Sequence, residues 1–224
     1  MKMNTTYMYQ PICGLTRLLK ILLVLGAAMA VVSMLSSFMQ AELLSRGRFS
    51  EAEAQANDLR EQAIGLLQLA LYLFTVVIFG VWIVRANKNV RALGASDLPI
   101  TPGWAVGYFF IPILNLWRPY QAMKDLWRAS HNPASWGVTA AGPVLPIWWA
   151  LWLISGFLGQ LSFRVTMNAD SLEALQVATY LQIGEQVVDI PLCLAAVSLV
   201  GQIAAAQRSH VGMAGDGSGQ WSCG

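Results

Sequence analysis

Residues Trp104–Trp117, WAVGYFFIPILNLW, decide the fold class. These fourteen residues are almost wholly apolar, carry Pro112 in their middle and run directly into Arg118. A helix needs about 20 apolar residues to cross about 30 Å of hydrocarbon, so the stretch is too short to span. It is also too apolar for a solvated loop. It therefore reads as a re-entrant or interfacial segment, whose broken backbone has to find partners in protein or water. Two longer apolar stretches lie on each side of it. The pattern predicts an all-α polytopic membrane protein with four transmembrane helices. Between spans two and three it places this short segment and an in-plane amphipathic helix.

Composition points the same way. Of 224 residues, 56% are hydrophobic and only 12% charged, with a mean hydropathy of +0.51; a soluble domain averages about 25% charged. A net charge of +2 is too small to suggest a nucleic-acid partner. The spans are expected at Ile21–Ala41, Ile64–Val84, Val144–Phe163 and Val187–Gln207. They would form one transmembrane domain over 1–208 with a central segment at 85–142, followed by a disordered tail at 209–224 that holds five glycines. Ten basic residues fall at the two termini and in the central segment, against four in the two remaining loops. That asymmetry places the termini and the central segment in the cytoplasm. Ala28-Met29-Ala30 resembles a signal cleavage site, but residues 31–39 stay apolar, which favours a retained span. The cysteines, Cys13, Cys193 and Cys223, are odd in number and widely spaced, a pattern of neither a zinc site nor a disulfide framework.

Local signals set several helix ends. Ser50-Glu51-Ala52-Glu53 has the spacing of a capping box. No proline follows until Pro99, so one helix is expected from Glu51 to Leu93, with Gly94 as its stop. Asp170-Ser171-Leu172-Glu173 offers a similar start for span four. The outer ends of spans two and four would then pack through Leu59, Leu172, Leu175 and Tyr180. Pro119 suits the first turn of a short amphipathic helix over Pro119–Ser130. Gly26 and Ala30, Ser33 and Ser37, Ser155 and Gly159, and Gly201 and Ala205 form small-xxx-small pairs that let helices approach closely.

The polar residues in this setting are the candidates for function. Arg85, Lys88 and Arg91 recur at three-residue spacing, at the expected depth of lipid head groups. Asn115 is the one strongly polar side chain of the central segment, placed to satisfy its broken backbone or to meet a ligand. Seven of nine tryptophans lie between Trp104 and Trp152, a cluster typical of an interface belt. Glu185 and Asp189 share one face of span four, with Arg164 as a candidate ion partner and Gln68, Gln160 and Gln186 as candidate polar lining. No HExxH, P-loop, GxSxG or GxGxxG occurs, and His131 and His210 have no metal-ligand partner at useful spacing. No catalytic residue, metal or cofactor is expected.

The linked pieces Arg85-Ala-Asn-Lys-Asn89, Ala92-Leu-Gly94, Thr101-Pro-Gly-Trp-Ala-Val-Gly-Tyr-Phe-Phe-Ile-Pro112, Asn115-Leu116, Arg118-Pro119-Tyr120 and Trp127-Arg-Ala-Ser130 resemble a bacterial membrane family, domain of unknown function 4328. The resemblance spans roughly residues 65–205 and leaves the loop at 42–62 outside. It implies a four-helix protein of the bacterial inner membrane, with no assigned activity and so no catalytic residue to carry over. The leading expectation is a non-enzymatic scaffold or accessory subunit that meets anionic lipid head groups, a protein partner or copies of itself. Its candidate ligand or lipid-binding residues are Arg85, Asn89, Arg91, Asn115, Arg118 and Trp127. The alternatives are a small oligomeric transporter or channel using Glu185, Asp189 and the broken segment 104–118, and a lipid-head-group enzyme.

Overall fold

The computed structural model describes residues 7–214. The described residues are helical and contain no strand. Six α-helices follow in order: α1 (Cys13–Ser45), α2 (Glu51–Ala92), α3 (Trp104–Gly107), α4 (Arg118–His131), α5 (Val144–Met167) and α6 (Leu172–Ala214). Single turns of 3-10 helix lie at Tyr108–Phe110 and Leu114–Leu116, and a longer 3-10 stretch at Pro133–Val138. Of these helices α1, α2, α5 and α6 are long and apolar enough to cross a membrane.

The local signals are built as their chemistry requires. At the start of α2 the Ser50 hydroxyl accepts from the Glu53 N–H at 3.2 Å, and the Ser50 N–H donates to the Glu53 carboxylate at 2.7 Å. Together these make the reciprocal capping box. At its end Ala95 N–H reaches Val90 O at 3.0 Å and Gly94 N–H reaches Arg91 O at 3.1 Å, with Gly94 at φ +102°. This closing motif needs a left-handed residue at the Gly94 position, which only glycine adopts without strain. Ser171, rather than Asp170, caps α6 through the Ala174 N–H at 3.2 Å. α6 runs unbroken through Pro191 to Ala214. The first residues of the expected tail are therefore helical; residues 215–224 lie outside the described part.

Contacts divide the chain into two compact units. The first takes in the chain up to Ile21, Thr75–Ile147 and the chain from Ala195; the second takes in Leu22–Phe74 and Trp148–Leu194. The first unit packs around Leu19, Trp82, Val90, Leu126, Leu199 and Ile203, all fully buried. Its Trp82 indole donates to Thr16 Oγ1 at 2.9 Å, which satisfies the one polar atom of that large buried ring.

The second unit uses small residues and a run of polar bonds. Gly26 faces Cys193, whose Sγ would lie 3.4 Å from a Cβ at that position, so α1 and α6 approach closely here. Ser33 donates to Gln68 at 2.8 Å and Gln68 to Gln186 at 3.3 Å, joining α1, α2 and α6, while Gln160 is exposed. Toward the loop between α1 and α2, Gln40 donates to Thr179 at 3.0 Å and Gln176 to Leu44 O at 3.0 Å. The expected packing of Leu59 against Leu172 and Tyr180 buries little of them: these residues are 68%, 42% and 59% exposed. The physical reason is that α1 also overruns, to Ser45, and it takes the face of α6 that carries Ala178 and Thr179.

Candidate functional site

Most candidate residues belong to the first unit, where the end of α2, the central segment and α4 meet. In the central segment Ile111 is extended, at φ −103° and ψ 109°, because the ring of Pro112 disfavours helix at the preceding residue. The stretch is thus three single turns rather than one inserted helix. Only Ala105 is buried among its apolar side chains up to Trp117, whereas Trp104, Phe110, Ile113 and Leu116 are each more than half exposed.

Asn89 is held wholly inside. It is 0% exposed, accepts from the Gln10 backbone N–H at 2.9 Å and donates to the Gln10 carbonyl at 2.8 Å and to Gln207 Oε1 at 3.3 Å. Gln207, also 0% exposed, donates in turn to Ala86 O and to the Ser130 hydroxyl. This closed amide network ties α2, α4, α6 and the segment before α1 together, so the Asn89 amide is saturated by the fold.

Arg91 is only 7% exposed and does not lie with Lys88 on a head-group face. Its guanidinium donates to Ile100 O at 2.7 Å and lies over the Tyr7 ring at 5.9 Å. It clasps the loop that the Gly94 turn sends back along the helix. Burial pushes the Arg91 guanidinium down from its ordinary value, opposed by Tyr7, and it stays charged at neutral pH. In α4, burial raises the Asp125 carboxyl, with Arg128 and Lys124 pulling against it.

Arg118 lies over the Tyr108 ring at 5.5 Å and donates to Gln121 at 3.2 Å. The Asn115 backbone N–H bonds Ile111 O at 2.8 Å, while its side-chain Oδ1 is buried without a partner. The indole of Trp127 stacks on His131 at 3.7 Å with its N–H buried and unpartnered. The tryptophans divide: Trp104 and Trp117 are exposed, whereas Trp148 and Trp149 are packed inside the second unit.

Arg85 stands apart from this packing. It borders a cavity of about 470 Å³ with Lys88, Gln10 and a row of α2 valines, and Arg118 does not reach it. Neither Arg85 nor Lys88 makes an ion pair among the described residues, where the pairs formed are Arg46–Glu42 and Arg60–Glu61. Gly80 and Val106 were not among the sequence-derived candidates, and Lys88 was noted for its spacing without being placed among the lipid-binding residues. The signal that finds Gly80 is the recurrence of small and β-branched residues on the Arg85 face of α2, whereas Val106 lies on α3 and has no such signal.

Residues 46–205 match the family described as a domain of unknown function, DUF4328. The chain belongs to this family. The match begins before the residues that carried the resemblance, so the loop after α1 falls within it. No curated protein and no solved structure matches the chain.

In the second unit of this DUF4328 chain, Ser155 donates to Asp189 at 2.6 Å. A Cβ on Gly159 would fall 2.7 Å from Glu185 Oε1, so the carboxylate occupies the notch that glycine leaves. The expected pairing with Arg164 is not formed. Among the described residues no three side chains of His, Cys, Asp or Glu gather in a way that would hold a metal ion.

Proposed function

We propose that this is a non-enzymatic protein of the bacterial inner membrane, with both termini and the central segment cytoplasmic, that binds anionic lipid and serves as a scaffold or accessory subunit. One observation carries this. Arg85 and Lys88 lack acidic partners and border a cavity whose walls include Val106 and the exposed Phe110. Cations beside exposed apolar side chains match the layered chemistry of a head-group region. Asn89 and Arg91 support the lipid site from inside the fold rather than by touching a ligand. Native mass spectrometry of the detergent-purified protein with its lipids retained tests this. Anionic phospholipid is expected to survive mild activation in preference to zwitterionic, and less of it in Arg85→Ala. Mixed lipid in membrane proportions, unchanged by Arg85→Ala, would overturn the reading.

Glu185 and Asp189 favour a second reading, an oligomeric transporter or channel, because two carboxylates without an ion partner on a spanning helix are costly to keep without a use. Proteoliposomes would then carry a proton or cation flux that Asp189→Asn abolishes. An intact flux in that variant, or none in the wild type, removes this reading.

A further inference from the structure

Val76, Val77, Val81 and Val84 fall on one face of α2, and the same face continues into Arg85 and Lys88. At 1.5 Å per residue the run from 76 to 88 is about 18 Å long. Gly80 sits in its middle. A Cβ there would touch Val106 Cγ1 at 3.4 Å, so the missing side chain deepens the trough where the central segment crosses it. Phe110 completes that wall and is 71% exposed, and Val77 is 61% exposed, so the trough is open along its side.

The two ends differ in chemistry. One is aliphatic along about two and a half helical turns, from Val76 to Val84. The other offers two cations one turn apart, next to Gln10, whose backbone N–H and carbonyl are both already taken by Asn89. An occupant that matches both ends has a long apolar tail and a compact anionic head. About 470 Å³ is within the range of small-molecule sites, yet the side opening admits a chain that extends beyond it. The depth also agrees: the valines belong to the expected second span, and Arg85 and Lys88 follow its end.

We propose that this trough seats one anionic glycerophospholipid, with its phosphate between Arg85 and Lys88 and one acyl chain along the valines against Val106 and Phe110. The proposal rests on the lipid-binding reading above and adds to it a defined site. Bound there, the lipid would join α2 to the central segment, so occupancy and the position of α3 are coupled.

The test uses the full chain in phosphatidylcholine vesicles doped with phosphatidylglycerol that carries a photoactivatable acyl chain, with cross-linked peptides mapped by mass spectrometry. Labelling is expected to concentrate on residues 76–84 and 106–110. It should fall about tenfold, or about 1.4 kcal/mol, in the Arg85→Gln/Lys88→Gln variant. Val77→Trp fills the trough from an exposed position without entering the core, and it should block labelling while both cations remain. Labelling spread evenly over exposed faces such as Leu66 and Phe157 would overturn the trough and leave the lipid-binding reading standing. Loss in the charge variant with full labelling in Val77→Trp would do the same, because it describes a head-group contact without a chain site. Absence of any anionic preference in native mass spectrometry would remove both.

Discussion

Asn89→Leu is expected to destabilise the protein by about 3 kcal/mol, with about 1 kcal/mol for each of three lost hydrogen bonds. The side chain is 0% exposed, and its bonds to Gln10 N–H, Gln10 O and Gln207 Oε1 have lengths of 2.9, 2.8 and 3.3 Å. A leucine of similar branching fills the space but leaves the Gln10 N–H and the Gln207 carbonyl without partners in a buried setting, where orphaned groups are most costly. Asn115→Leu is the contrast. Its Oδ1 is already buried without a partner, so an apolar replacement removes an unsatisfied group and is expected to be neutral or stabilising. Thermal unfolding of the two variants in the same detergent decides the matter. Equal losses would mean that the amide network around Asn89 contributes no more than an ordinary polar side chain. Because Asn89 also pins Gln10 beside Arg85 and Lys88, its variant should weaken lipid retention as well.

Those two asparagines show what was legible beforehand and what was not. The ends of α2 were legible because their causes are local: Ser50 and Glu53 three residues apart, and a glycine at the one position that needs a positive φ. The break at Pro112 and the start of α4 beside Pro119 were legible for the same reason. Arg91 was not. A cation three residues from Lys88 reads as a head-group contact unless something returns to meet it. What returns is the carbonyl of Ile100, brought back by the turn at Gly94. Both halves of that contact stood in the sequence, but their meeting is a tertiary event. Trp148 and Trp149 failed as interface markers in the same way, since indole is at home both at a head-group boundary and in a packed core. The face Val76, Val77, Gly80, Val81, Val84 and Arg85 was periodic and readable. That it forms a trough depended on where Val106 lands, which no local rule supplies.

Gly142→Ala is expected to destabilise by about 1–3 kcal/mol, the usual cost of forcing extra volume into a packed site. The new Cβ would fall 2.7 Å from Cζ2 and 3.0 Å from Cε2 of Trp127, closer than real contacts allow. The indole is poorly placed to retreat, because the ring also stacks on His131 at 3.7 Å. That imidazole is held by a 2.8 Å bond between its Nδ1 and Trp127 O, and the His131 carbonyl meets His210 Nε2 at 3.2 Å. Gly201→Ala makes the informative comparison. Its Cβ would fall even closer, 2.6 Å from Lys20 Nζ, but that atom ends a flexible chain that can swing aside. The expected loss there is within about 0.5 kcal/mol. A rigid ring and a flexible ammonium thus turn similar distances into different energies. The double variant Gly142→Ala/Trp127→Leu should recover part of the loss, because the smaller side chain makes room. Additive losses in that double variant would show that Gly142 is constrained by its backbone and not by the indole. Recovery would fix Trp127 as the wedge between α4 and the chain entering α5, which is why its ring belongs to the packing of the first unit while Arg85 and Lys88 line the open trough.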